Sequence, residues 1–257
     1  MELNYKTIGE GPPLLILHGL FGALDNWITL GRSFGENYQT FLLDQRNHGK
    51  SPHTSTHGYP EMAEDLIGFM DQQGIAQALL IGHSMGGKTI MEAALQHPNR
   101  ISGLVIADMA PVQYESHHDS VFRALEAIDF TEIENRVQAE RIMQLHLQEP
   151  GVIQFLLKNI DRSGDGKYSW KMNLPVLKRE YDRILEEIPG GRKYIGPTLA
   201  LRGGKSPYVQ EHHLPYFREL FPELELETIP DAGHWVHAEA PGLFYEIVLN
   251  FLQRISR

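Results

Sequence analysis

The chain has 257 residues, enough for one α/β domain with a sizeable core, so two independent domains need not be assumed. Its 33 Asp and Glu against 23 Lys and Arg give a net charge of −10, which opposes the basic footprint that phosphate backbones select and argues against nucleic acid as a partner. It has no cysteine, which excludes disulfides, thiolate zinc sites and a cysteine nucleophile together.

The first stretch, MELNYKTIGEGPP, carries an acidic Glu2 and no apolar signal-peptide core, and no uninterrupted apolar run reaches membrane-spanning length. These features predict a soluble, cytoplasmic protein. Short apolar runs then alternate with amphipathic stretches. PPLLILHG precedes LDNWITLGRSFGE, YQTFLLD precedes YPEMAEDLIGFMDQQG, ALLIGHS precedes GKTIMEAALQHP, and ISGLVIADMAP follows. Runs such as LLIL and LVIA are apolar on both faces, as parallel strands covered by helices must be. The rhythm predicts an α/β fold with a mostly parallel central sheet flanked by helices. After Pro111 the rhythm breaks, and apolar residues recur at helical spacing in VFRALEAI, VQAERIMQLHL, VIQFLLKNI and VLKREYDRILEEI. A helical cap over residues 111–193 is therefore expected, inserted between core segments 1–110 and 194–257. Inside it, SGDGKYSW reads as a tight hairpin, because Asp165-Gly166 suits a turn with positive φ. The strand pattern returns in GPTLALRGG and LELETIP, and the chain closes on the amphipathic helix PGLFYEIVLNFLQRI.

The pentapeptide GHSMG, residues 82–86, sits where the strand ALLIG hands over to a helix. A serine at such a junction is forced into a strained conformation whose crowded backbone admits only small residues two positions away, here Gly82 and Gly86. Ser84 is the expected nucleophile. The helix behind it directs free N–H groups and its positive dipole end at the serine oxygen, so the Met85 N–H is placed for a developing oxyanion. A second donor is expected from Leu20, in the glycine-containing loop HGLFG after the strand PLLIL.

At these residues the sequence resembles the α/β-hydrolase superfamily over essentially its whole length: HGLFG after one strand, DQRNHGKS after the next, GHSMGGK at the elbow and DAGHW near the end. The set HGLFG, GHSMGGKT, IADMAPV, GGKSPYV and GHWVHAEAP resembles more closely still the small bacterial YbfF-type esterases and their mitochondrial ABHD11 relatives. The resemblance implies serine-dependent hydrolysis of acyl esters or thioesters, with no cofactor.

That fold places the catalytic groups in the order Ser, acid, His, which sets aside His18, His48 and His83 among the 13 histidines. Of His212, His213, His234 and His237, only His234 lies in a short loop just after a strand, with Gly233 before it. His234 is the expected base; His237 reads as a helix-end residue, His83 as strand-end packing and His18 as a hydrogen-bond partner of the oxyanion loop. Many α/β-hydrolases carry an Asp after the strand that follows the cap, but here that strand leads into LRGGKSPYVQE, with Ser206 in the place and no carboxylate before Glu211. One strand earlier, GLVIADMAP ends an apolar run with Asp108, a charge costly to bury unless something pairs with it. Asp108 is the expected acid, in agreement with the D-x-A-P pattern of the YbfF-type esterases. Asp231 competes but shares a loop with His234 and reads as a turn residue.

The mechanism expected from these groups is attack by Ser84 on an acyl carbonyl, proton transfer through His234, tautomer control by Asp108, and oxyanion binding by the Leu20 and Met85 N–H groups. Activity should fall in acid, where His234 takes up a proton and ceases to be a base. DQRNHGKS lacks the phosphate-loop frame, and HTSTH, HHD and HWVH offer no coherent metal-ligand set, so no metal is expected. Met143, Phe155, Leu156 and Trp170 read first as cap core, with some available to line the acyl pocket. Residues 158–193 hold nine Lys and Arg (Lys158, Arg162, Lys167, Lys171, Lys178, Arg179, Arg183, Arg192, Lys193) against six acids, which is either a solvated helix face or a region that steers anionic acyl donors such as coenzyme A thioesters. The partner expected is a small-molecule acyl ester or thioester. The readings carried beside it are hydrolysis of a carbon–carbon bond or an amide by the same residues, and a non-catalytic binding module on the same fold.

Overall fold

The computed structural model describes residues 1–256. The strands are β1 (Tyr5–Ile8), β2 (Pro13–Leu17), β3 (Gln39–Leu43), β4 (Ala78–His83), β5 (Ile101–Ala107), β6 (Ile160–Arg162), β7 (Tyr168–Trp170), β8 (Thr198–Gly203) and β9 (Leu224–Ile229). Seven of them form one sheet in the order β1-β3-β2-β4-β5-β8-β9, and every pairing is parallel except β1 with β3. The central strand β4 is buried along its whole length. Sequence periodicity missed β1 because YKTI is an exposed edge strand with no apolar run.

Helices cover both faces. Leu15, Leu17 and Leu80 pack with α2 (Tyr59–Gln72) and α3 (Met85–Gln96) on one side. Leu14, Ile16, Leu79 and Ile81 pack with α1 (Ile28–Phe34) and α11 (Pro241–Ile255) on the other. Two-sided burial is what made the strands read as continuous apolar runs rather than alternating ones. Between β5 and β8 the chain forms α4 (Asp119–Glu126), α5 (Arg136–Met143), α6 (Pro150–Leu157), the β6–β7 hairpin, α7 (Leu174–Arg179) and α8 (Tyr181–Leu185). The single amphipathic stretch VLKREYDRILEEI is two short helices that meet at Glu180. The hairpin turns at Gly166, φ 88°.

Buried Lys88, on α3, ties this insertion to the sheet layer. Its ammonium donates to the carbonyls of Val112 at 2.8 Å and Glu186 at 2.5 Å, one where the chain leaves β5 and one where it returns. Burial pushes Lys88 down to about 7, with Glu186 and Glu187 pulling the other way. The Tyr114 ring, 4.8 Å from the ammonium, adds a cation–π contact.

The carboxyl ends of the strands set the position of everything that follows. Strand order reverses between β2 and β4, the switch point where α/β sheets open a crevice. His83 lies opposite Ala107 in the β4–β5 register, so Ser84 and Asp108 leave the sheet side by side.

Candidate active site

Ser84 caps the start of α3 with φ 52° and ψ −119°, a conformation L-residues rarely hold. The flanking glycines follow from the fold's sterics. A Cβ on Gly82 would stand 2.3 Å from the Gly86 carbonyl oxygen, and one on Gly86 would stand 2.6 Å from that of His18. As the first residue of α3, Met85 has an N–H without an intrahelical acceptor. Among the described residues, neither it nor the Leu20 N–H donates to a protein group.

The direction of the Leu20 N–H is set by its own peptide unit. The Gly19 carbonyl accepts from His18 Nδ1 at 2.8 Å and from the Gly22 N–H at 2.9 Å. In a trans peptide the N–H points opposite to the C=O, so the Leu20 N–H is turned to the other side of the loop. The His18 tautomer is fixed from behind, because Gln45 donates its N–H to Nε2 at 3.1 Å. His48 does the same for the next peptide, its Nε2 accepting from the Phe21 N–H at 3.2 Å. Burial holds the pKa of both histidines below the ordinary range, which keeps them neutral and able to accept.

Asp108 is fully buried and, like Ser84, has a positive φ, 50°. Its Oδ1 accepts from the Gly203 N–H at 2.9 Å, and its Oδ2 accepts from the Ser206 hydroxyl and stands 2.7 Å from His234 Nδ1. Three donors thus compensate the burial of one charge. Asp231 stands elsewhere, almost wholly exposed and 3.6 Å from Lys205. His234 is held on three sides. The Tyr208 ring stacks on it with centroids 3.9 Å apart and planes 19° from parallel, and His83 Nε2 donates to the His234 carbonyl at 2.9 Å. Glu239 accepts from the N–H groups of Gly233 and Trp235 on either side, at 2.8 and 3.2 Å. No hydrogen bond joins Ser84 Oγ to His234 among the described residues; such contacts commonly tighten only when substrate is bound.

Ser84 and His234 line one cavity of about 600 Å3, together with His18, Leu20 and Phe21 and, from α6, Val152, Phe155 and Leu156. Met143 is instead buried in the insertion, and Trp170 packs on Phe130. His237 is also in the wall, stacked on Trp27 at 4.2 Å with its Nδ1 buried and unpartnered, and burial lowers it to about 3. Sequence reasoning did not single out Ser206, Tyr208, Gln45 or Glu239 as supports of the site. Only Ser206 carried a signal, as a small hydroxyl where a carboxylate was sought. Among the described residues no cluster of His, Asp and Glu has the arrangement to hold a metal ion, and no helix is long and apolar enough to cross a membrane.

The chain also has known relatives. Residues 12–141 and 166–241 match the α/β-hydrolase fold family. The chain is 42% identical over 243 residues to the esterase YbfF of Escherichia coli strain K12, covering 93% of this chain and 92% of that one. It is 39% identical over 263 residues to the sn-1-specific diacylglycerol lipase ABHD11 of Mus musculus, covering 98% of this chain and 85% of that one. A solved marine microorganism esterase, 39% identical, superposes with a TM-score of 0.95 over 97% of this chain and 99% of that one. The chain belongs to the α/β-hydrolase fold family and is a carboxylesterase-type hydrolase.

Proposed function

We propose that the chain hydrolyses short to medium acyl esters, and thioesters of the same acyl groups, through Ser84, His234 and Asp108 and an acyl-enzyme. The observation that carries this reading is the 2.7 Å contact between His234 Nδ1 and buried Asp108, with His234 and a strained Ser84 in the wall of the same cavity. With the Nδ1 hydrogen donated to Asp108, His234 Nε2 keeps its lone pair and can take the Ser84 proton as the hydroxyl attacks. The Leu20 and Met85 N–H groups receive the oxyanion, and the imidazolium returns its proton to the departing alcohol or thiol. Water, activated by the same imidazole, then frees the acid. The residues 111–193 act as a cap whose α6 closes the acyl pocket with apolar side chains.

The basic bias of that cap narrows to one residue. Lys167, Lys178, Arg179, Arg183 and Arg192 are each paired with a carboxylate. Of the four without such a partner among the described residues, Lys158, Arg162, Lys171 and Lys193, Lys158 alone lines the cavity. It is the cap's cation for an anionic acyl donor. Lys158→Gln should lower kcat/KM for a coenzyme A thioester several-fold and leave a neutral ester unchanged; equal responses of the two substrates to the variant and to salt would end that assignment.

A fluorophosphonate probe tests the reading as a whole. Intact mass and peptide mapping should find the label on Ser84 in the wild type and none in Ser84→Ala or His234→Ala. Absence of label from the wild type would favour a binding module, and turnover of diketones or peptides in preference to esters would favour carbon–carbon or amide hydrolysis.

A further inference from the structure

Phe21 follows the expected oxyanion donor Leu20 and holds φ 59°, in the left-handed region that a side chain with a Cβ avoids. Left to itself, the backbone here would rotate toward negative φ and swing the peptide units on both sides. Two side chains oppose that rotation. Before Phe21, His48 Nε2 takes its N–H. After it, Asn159 Nδ2 donates to the Phe21 carbonyl at 2.7 Å, from 138 residues away in sequence.

Asn159 belongs to the insertion, between α6 and β6, and is 3% exposed. Its amide also donates to the Leu156 carbonyl at 3.3 Å, and its own carbonyl accepts from the Lys171 N–H at 2.8 Å, so it is fixed to both α6 and the returning strand of the hairpin. The same α6 supplies Val152, Phe155 and Leu156 to the cavity wall. One buried amide therefore joins the wall that receives the acyl group to the loop that bears Leu20.

We propose that Asn159 is a positioning residue for the oxyanion site, holding the Phe21 carbonyl so that the Leu20 N–H stays turned toward Ser84 and is correctly aimed only while the cap is seated. This rests on the reading of Leu20 and Met85 as the oxyanion donors. Loss of the Asn159 bond leaves the acyl pocket walls in place but frees the loop on one side. The penalty then falls on the transition state, where charge on the carbonyl oxygen needs the donor, rather than on ground-state binding.

The test compares the wild type with Asn159→Asp, close in shape but without the donor, using p-nitrophenyl acetate as substrate and phenylboronic acid as a tetrahedral mimic. A misaimed donor should cost part of what a deleted one costs, so kcat should fall about tenfold to a hundredfold with KM nearly unchanged. Phenylboronic acid affinity should weaken in proportion to kcat/KM. Asn159→Ala gives the same readout where a buried aspartate prevents folding. A kcat within about twofold of the wild type in the folded variant, or a raised KM at constant kcat, would overturn the proposal, as would a lowered melting temperature with both constants intact. Ser84→Ala is run beside them: activity surviving in that variant would sink the underlying serine mechanism, whereas an inactive Ser84→Ala with a fully active Asn159→Asp would sink only the role of Asn159.

Discussion

Ser84 and Asp108 leave adjacent strands side by side, yet their supports lie at very different distances along the chain. The turn at Ser84 is enforced within five residues, by the near contact of Gly82 with Gly86. The Asp108 carboxylate draws its donors from Gly203, Ser206 and His234, which are 95, 98 and 126 residues away. A backbone clash is a local constraint, and it leaves few residue types at each position. A buried carboxylate asks only for enough donors, and many sequences supply them. The turn at Ser84 should therefore fail abruptly when altered, and the set of donors around Asp108 by degrees.

Gly82→Ala is the severest way to break the comparison on its local side. The added carbon would stand 2.3 Å from the Gly86 carbonyl oxygen and 2.8 Å from the Gly87 nitrogen, backbone atoms that cannot rotate away. The elbow cannot close around it, and the expected outcome is insoluble protein or complete loss of probe labelling at Ser84. Soluble, active Gly82→Ala would mean that α3 can shift to admit a methyl.

On the acid side, Asp108→Asn preserves shape but turns the wrong group toward His234 Nδ1. By analogy with serine-protease triads, kcat should drop on the order of ten-thousandfold. Asp231→Asn, whose carboxylate is exposed beside Lys205, should keep wild-type rates. Equal activity of the two variants would remove Asp108 from the proposed relay.

The same contrast explains what could be read without coordinates. The α/β class, the flanking helices and the family were legible because two-sided burial writes itself as apolar runs and the elbow as a glycine-spaced motif. Asp108 stood out as a charge ending the run LVIA, which has to be paired, and its buried carboxylate meets three donors. The edge strand β1 was not, having an exposed YKTI pattern, and neither was the division of α7 from α8. Tyr208 over His234 and Asn159 against Phe21 are meetings of distant segments, and no local period records them.

Acid sharpens the comparison by acting on buried histidines. His237 and His57 are pushed down to about 3 by burial. Because the folded values lie below the unfolded ones, the unfolded chain takes up protons first, and stability is lost as pH falls from the ordinary histidine range toward about 3. At pH 5 each group costs on the order of 2 kcal/mol. Denaturant midpoints should fall steadily between about pH 6.5 and 4, and His237→Phe, which keeps the stack on Trp27, should recover part of the loss. An unchanged slope in that variant would put the proton uptake elsewhere.

Ser206→Ala has a smaller expected effect than Asp108→Asn and separates two ways of supporting His234. The hydroxyl donates to Asp108 Oδ2, the oxygen that also faces His234, and accepts from the Tyr208 N–H at 3.2 Å. Its loss leaves Asp108 with the Gly203 N–H and His234, so the carboxylate stays anchored but less well stabilised. A hydrogen bond to a charged group contributes about 1.5–3 kcal/mol, which sets the expected fall in kcat at about tenfold or somewhat more, with KM unchanged. Were the effect carried instead through the loop bearing Tyr208, a change to that ring would reproduce it. Tyr208→Leu removes the ring stacked on His234 while leaving the Asp108 donors untouched. The carboxylate account requires the fall in kcat from Ser206→Ala to persist when Tyr208→Leu is added, whereas the loop account requires the double variant to lose no more than either single one. Ser206 and His234 Nδ1 meet the same Asp108 oxygen, so Ser206→Asp added to Asp108→Asn should recover measurable turnover over Asp108→Asn alone if the site needs a charge near His234 Nδ1 more than it needs a particular strand to supply it.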